Sequence, residues 1–470
     1  ALASPFFAEF DLRARGVELA VPEISYANPL PGRPAALAYR DLERTCAELS
    51  GGASWRRLLG PLTSRSRAVV ELMLGDKRSV PGDLGAAVHV AARMLAQGSP
   101  AWGVLRGEDA RALFSGVAAH TISRMPSLVS AGAGLMLAML GHSVGWPVPI
   151  GGSQAITDAL IAELRAHGGE LHTGVEVTEP PRGVVVYDTA PTVLLAIYGT
   201  RSPARYARAL RRYSYGPGAA KVDYVLSGDI PWTDPRLASA ATFHLGGTRT
   251  QMAHAEREVA AGRHADWPMI LAASPHVADP KRVGAQGYRP FWTYAHVPAG
   301  STADQTGAVT AVMERLAPGF SDLVVAARSI PASRLPDHNA NYVGGDITVG
   351  GAAVLPAASD TACQSLGDAD TPSLLVLVSN PPWRRGPRDG RLFRGTNRSP
   401  PRVRAPYAST VAVAAVTLSQ HLLLLINSCG LLSFAGAQQT LGASYDCPRG
   451  VRHCSGGDRP GAVGAQHRFH

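Results

Sequence analysis

Cysteine is nearly missing from the body of this 470-residue chain: Cys46 stands alone before residue 352, while Cys363, Cys429, Cys447 and Cys454 all follow it. No CxxC pair occurs, and one body cysteine points to a reducing compartment. No group of His, Cys and Asp has ligand spacing, so no metal centre is expected. The sequence also lacks a P-loop, GxSxG and HExxH, which removes the commonest phosphate-binding, serine-hydrolase and zinc-protease readings. It opens ALASPFF, without an initiating Met, a basic n-region or an apolar leader core, and so reads as a fragment or a processed chain. Lys and Glu are absent after residue 351, where twelve Arg face six Asp and carry +6 of the chain's net +9. The body is therefore nearly balanced, and nucleic acid is not an expected partner.

What is present fits a soluble globular chain long enough for two or three domains, with 46% hydrophobic and 17% charged residues. Residues 1–40 are strand-like and turn-rich, and 41–120 are helical in pattern. SLVSAGAGLMLAMLGHSVGW (127–146) is apolar almost throughout, yet four glycines and the lack of basic flanks favour a buried helix lining an apolar cavity over a membrane span. The stretch GGSQAITDALIAELRAHGGELHTGVEV (151–177) combines several signals. Ser153 is a candidate N-cap, and Ile156, Ala159, Leu160 and Leu164 form one stripe. Gly168-Gly169 stops the helix, and alternation over 171–177 predicts a half-buried strand. GVVVYDTAP (183–191) predicts a second, short strand ended by Pro191. Strand, tight turn and helix in this order belong to a nucleotide-binding α/β layer. Between 203 and 330, KVDYVLSGDIPW, ATFHLGG, PMILAASP and GYRPFWTYAHVP predict strands, with helices near 250–262 and 302–317. This pattern suggests an antiparallel sheet in an inserted domain. HNANYVGGDITVGG (338–351) reads as a glycine-rich loop.

SPFFAEFDLRARGVELAVPEISYANPL, LGHSVGWPVPIGGSQAITDALIAELRAHGGELHTGVEV, RRYSYGPGAAKVDYVLSGDIPW, YAHVPAGS and HNANYVGGDITVGG, in this order over some 350 residues, resemble the bacterial phytoene-desaturase-like flavoproteins. These are two-domain FAD enzymes related in fold to the amine oxidases. The resemblance implies an α/β fold: an incomplete FAD-binding Rossmann-like domain with an inserted α+β substrate domain. On this reading residues 1–146 are mainly the helical part of the substrate domain, 147–200 an FAD-domain segment and 201–337 the antiparallel sheet. Residues 338–351 are a flavin-proximal loop and 352–470 an irregular, aberrant tail. FAD is the implied cofactor. Val177 and the Thr189-Ala190-Pro191 turn would border its adenine end, and Gly344-Gly345 in the GGDI turn would lie near the flavin ring.

Two departures accompany the resemblance. The family's opening strand–GxGxxG–helix unit is expected upstream of residue 1. After Gly351, NPPWRRGPRDGRLFRG takes the place of the family's PPGGGVHGM-like turn and matches that turn read one base off, so a frameshift is expected there. Sharp and bland readings stand side by side for the remaining candidates. Gly151-Gly152 reads as an anion-binding turn or a plain helix entry. His338 and Asn339 are candidates for chemistry beside the flavin, ahead of His142 and His296. Asp346 either orients substrate or caps its own turn. The expected substrate is apolar, isoprenoid- or lipid-like, suited by the 127–140 helix and by Phe291, Trp292 and Tyr294. The expected location is cytoplasmic, compatible with peripheral membrane contact. The alternative reading is a non-catalytic remnant that cannot hold FAD.

Overall fold

Alternating apolar residues in the middle of the chain build one sheet with two covered faces. The computed structural model describes residues 2–75, 80–181 and 185–350, together with the backbone of a strand at 375–376. The expectations for the rest of the tail, its irregular character and the frameshift after Gly351, lie outside the described residues.

In chain order the strands are β1 (Leu19–Ala20), β2 (Ile24–Asn28), β3 (Ala36–Tyr39), β4 (Val148–Pro149), β5 (Val186–Tyr187) and β6 (Gly218–Leu226). They continue with β7 (Thr242–His244), β8 (Ile270–Ala273), β9 (Arg289–Val297), β10 (Val324–Ile330) and β11 (Leu375–Val376). Seven form a sheet in the order β10-β6-β9-β8-β7-β2-β3. Its neighbours run antiparallel except β7 and β2, which pair in parallel through Ala27 and Phe243. All four strands expected between 203 and 330 form. β2 and β3, from the first forty residues, complete the same sheet.

The two-residue period decides which side chain goes where. Ala220, Val222, Tyr224 and Leu226 of β6 pack with Phe243, Phe291 and Leu37 on one face, under Val309, Val312, Met313 and Leu316 of the helix Thr306–Leu316. On the other face Tyr26, Ala36 and Ala38 meet a helical layer built around Trp55, Leu58, Leu113 and Leu135. At the centre of that layer lies the helix Leu128–Ser143. Ser127 opens it with a capping box: Ser130 N–H donates to Ser127 Oγ, and Ser127 N–H to Ser130 Oγ, both at 3.1 Å. Its apolar text is core, buried at thirteen of sixteen positions. Gly134 lets it approach its neighbour, since a Cβ there would stand 2.9 Å from the Phe114 ring. Among the described residues no helix is long and apolar enough to cross a membrane.

The helix expected after Gly151-Gly152 spans Gln154–Ala166, with Ile156 and Ala159 buried and Gly168 at φ +77° just beyond it. The strand expected at 171–177 does not form: residues 170–178 are irregular and almost wholly exposed. A lone amphipathic segment has no ladder to join, and no described strand lies against it. β5 does form. It pairs in parallel with β11, Val186 opposite Leu375 and Tyr187 opposite Val376. The helix Pro191–Tyr198 leaves it after a three-residue turn.

Candidate functional site

The turn that ends β5 is tied to the glycine loop from the far end of the described chain. Ala190, fully buried, donates its N–H to Asn341 Oδ1 at 2.7 Å. Thr192 Oγ1 lies 2.8 Å from Tyr215 Oη, and Tyr213 Oη donates to the Val349 carbonyl at 2.6 Å. Ala190, Ala219, Leu335, Tyr342 and Val349 share one small core, against which Tyr215, Tyr294 and Ile347 pack. Thr189–Pro191, residues 213–216 and the 338–350 loop thus converge on one face of β6 and β9. The resemblance separates the first and last of these along an elongated cofactor. In the structure the Asn341 side chain bonds the two segments to each other.

Within that wall Asp346 is a structural anchor, the second of the two readings the sequence offered for it. It is 1% exposed. Its Oδ2 accepts from Gly216 N at 2.6 Å and Gly350 N at 2.9 Å. Its Oδ1 accepts from Thr348 N at 2.8 Å and Thr348 Oγ1 at 2.6 Å. With its lone pairs so engaged, the carboxylate organises the loop. Gly344 and Gly345 have φ of +64° and +83°, and a Cβ on Gly345 would stand 2.6 Å from that of Ala332. The turn needs both glycines to lie this close to the start of β6. Asn339 Oδ1 accepts from Asn341 N at 3.1 Å and so shapes the same loop. His338 ends the short helix Leu335–His338. Burial, helped by nearby Lys221, holds its pKa below the ordinary value.

The sheet face beside this wall carries a polar and aromatic row. Register sets Lys221 opposite Tyr294, Asp223 opposite Trp292 and Ala219 opposite His296. Trp292 stacks on Tyr294 at 6.4 Å, and Tyr294 on His296 at 5.8 Å. Lys221 contacts Asp223, and burial still lowers its pKa despite that partner. His296, 2% exposed, donates from Nδ1 to the buried Glu256 carboxylate. Two strands further along the sheet, His244 of β7 meets His120, Nε2 to Nε2, at 2.8 Å. Burial lowers both pKa values, helped for His120 by nearby His244 and for both by His296, and brings His244 down to about 3. Sequence reasoning missed Lys221 and Glu256. The signal for Lys221 was there: a lysine at an inward position of an alternating strand, GAAKVDYVL, is a buried lysine.

The remaining candidates are not brought to this wall. Gly151, at φ +77°, donates its N–H to Asp279 Oδ2 at 2.8 Å. Asp279 is 1% exposed and bridges to Arg282 at 3.2 Å. The amide expected to meet an anion therefore already has a protein carboxylate, and buried Gly152 completes that junction. Val177 is 39% exposed on the irregular segment and forms no wall. His142 is structural: it accepts from Trp55 Nε1 at 3.0 Å and donates from Nδ1 to the Tyr39 carbonyl at 2.8 Å. No group of three or more His, Cys, Asp or Glu able to hold a metal occurs among the described residues.

No family model matches the chain. Uncharacterized proteins of Mycobacterium bovis and Mycobacterium tuberculosis are 29% identical to it over 294 residues, covering 56% of this chain and 52% of theirs. The chain spans about half the length of the curated relatives it matches. A redesigned putrescine oxidase aligns at TM-score 0.41 with 12% identity, covering 69% of this chain and 71% of the other. Cyclohexylamine oxidase from Brevibacterium oxydans gives 0.41 and 10%, covering 80% and 79%. An oxidoreductase from Methanosarcina mazei gives 0.37 and 13%, covering 77% and 76%.

Proposed function

We propose that this chain is part of an FAD-dependent oxidoreductase, a dehydrogenase or desaturase that removes a hydride from a C–H bond of an apolar, isoprenoid- or lipid-like substrate. One observation carries the reading: the turn after a parallel strand, Thr189–Pro191, is bonded to the 338–350 loop and shares a small core with Tyr294 of the Trp292–Tyr294–His296 row. This supports a site in which a dinucleotide edge would meet an aromatic substrate wall. The fit to the cofactor is partial. Thr189 Oγ1 is buried without a protein partner at the mouth of the Pro191–Tyr198 helix, which suits a polar cofactor group. Gly151, Gly152 and Val177 do not fit, for the reasons above.

Flavin, when bound, supplies the hydride acceptor. The chain's own residues would do the rest. Trp292 and Tyr294 would hold an apolar chain flat and keep water from it. His296, held by Glu256, would complete the edge of the site beside Tyr294. Lys221 and His338 place positive charge or hydrogen-bond donors near the loop.

A second reading, a non-catalytic remnant that holds no flavin, is favoured by the Gly151–Asp279 bond and the exposed 170–178 segment. The visible spectrum of the purified chain separates the two. A flavin band at roughly 450 nm, or its appearance on titration with FAD, supports the oxidoreductase. A colourless protein that leaves FAD fluorescence unchanged supports the remnant.

A further inference from the structure

The stretch RSPARYARALRR (201–212) carries five arginines, and no Asp or Glu occurs between Asp188 and Asp223. It folds as a short turn, Gly199–Arg201, and the helix Ala204–Arg211, with Arg212 still in helical geometry just beyond it. At about 100° per residue, Arg205, Arg208, Arg211 and Arg212 fall within an arc of about 120°. Tyr206, Ala207 and Leu210 lie on the opposite side. Burial follows that division: those three are core, while Arg201 and the four arginines of the arc are exposed. Tyr206 and Leu210 pack with Tyr187 and Leu194, so the apolar side fixes the helix and holds the arginines outward. Exposed arginines elsewhere have acidic partners: Arg44 pairs with Glu23, Arg56 with Glu43 and Arg263 with Glu258. Arg201, Arg205, Arg208, Arg211 and Arg212 make no ion pair or side-chain hydrogen bond among the described residues. Arg208 stands three residues from Arg205 and from Arg211 and four from Arg212, spacings at which like charges oppose a helix. The stripe calls for a counter-charge.

The surroundings of the stripe say which one. Among the described residues no large hydrophobic side chain is exposed between Val177 and Tyr288, so this face has nothing to insert into a bilayer. A second copy docked about a twofold would set the arginines against their own images. A nucleic acid strand asks for stacking aromatics along a basic groove. Here Tyr206 is buried beneath a convex helix, and the first 351 residues are nearly balanced in charge. What remains is a short row of planar guanidiniums, roughly 10 Å from Arg205 to Arg212. A row of carboxylates on one element of another protein matches it, each guanidinium able to hold a carboxylate by two hydrogen bonds. We propose that the arginine face of the helix Ala204–Arg211 is a docking surface for an acidic protein segment. Tyr213, two residues past the helix, holds the Val349 carbonyl, so the docked segment is coupled through it to the 338–350 loop. The inference does not depend on the flavin reading.

Fluorescence anisotropy with the full chain tests it, using a labelled oligoglutamate and, separately, a labelled single-stranded DNA of equal charge. The expected result is binding of oligoglutamate at low salt, weakened as salt rises. The triple variant Arg205→Gln, Arg208→Gln, Arg212→Gln should bind it at least about tenfold more weakly. These side chains are exposed and bear no core, so the variant should melt with the wild type. The proposal is overturned if the wild type does not bind oligoglutamate. It is equally overturned if the variant binds as well as the wild type, which would assign binding to other arginines such as those after residue 351. DNA bound more tightly than oligoglutamate, and released by the triple substitution, would make a nucleic acid the occupant and also overturn it.

Discussion

Replacing Asp346 tests whether the glycine loop is held by a structural carboxylate or by one free for chemistry. The buried Oδ2 is the acceptor for Gly216 and Gly350 N–H, at 2.6 and 2.9 Å. Asp346→Ala orphans both amides where water does not reach them, at about 1–3 kcal/mol each. The two Thr348 donors are only partly buried and can turn to solvent, so they add little. The sum is roughly 3–5 kcal/mol, large for a single substitution and of the kind expected when a buried network is broken. Asp346→Asn keeps one carbonyl oxygen for one of the amides and should lose about half as much. Urea unfolding followed by tryptophan fluorescence measures both. A loss below about 1 kcal/mol for the alanine variant would refute the anchoring role and return Asp346 to the list of residues available to substrate.

Gly345→Ala should cost about 2–4 kcal/mol, combining positive φ with a 2.6 Å approach to Ala332; the same unfolding assay reads it, and a neutral result would mean that the turn is not packed as described. Burial holds His142 at about 4 and His244 at about 3, both below the ordinary value of roughly 6.5. Both are neutral in the fold, so their contribution is complete above about pH 6.5 and falls as the unfolded chain takes up protons first. Melting temperature should therefore drop between about pH 6.5 and 4, His142 alone accounting for roughly 3 kcal/mol. His142→Gln should flatten that slope, and an unchanged slope would contradict the assignment.

How much of this was legible depended on whether a segment's partners could be read beside it. The helix Gln154–Ala166 was, because stripe and Gly168 stop are local signals. So were β6 to β9, whose alternation matches two covered faces. Residues 171–177 alternate just as well, but a strand exists only by pairing, and alternation says nothing about a neighbour. Ser153 precedes its helix as expected but sits in helical geometry rather than an extended cap. The loop 338–350 was legible as a glycine turn. That its Asp would bond Gly216, 130 residues away, was not, because no local pattern encodes such a partner. The same limit hid Gly151–Asp279, which turned an expected anion-binding amide into a joint. It also hid the Glu256–His296 pair, whose two members look ordinary on separate elements.

The central claim is that Thr189–Pro191 and the 338–350 loop form one wall of a flavin site. Photolabelling the full chain with an azido analogue of FAD, followed by peptide mapping, tests this most directly. The account predicts label in peptides carrying 188–192 or 338–350, displaced by excess FAD. Label confined to other segments, or none that FAD displaces, would contradict it.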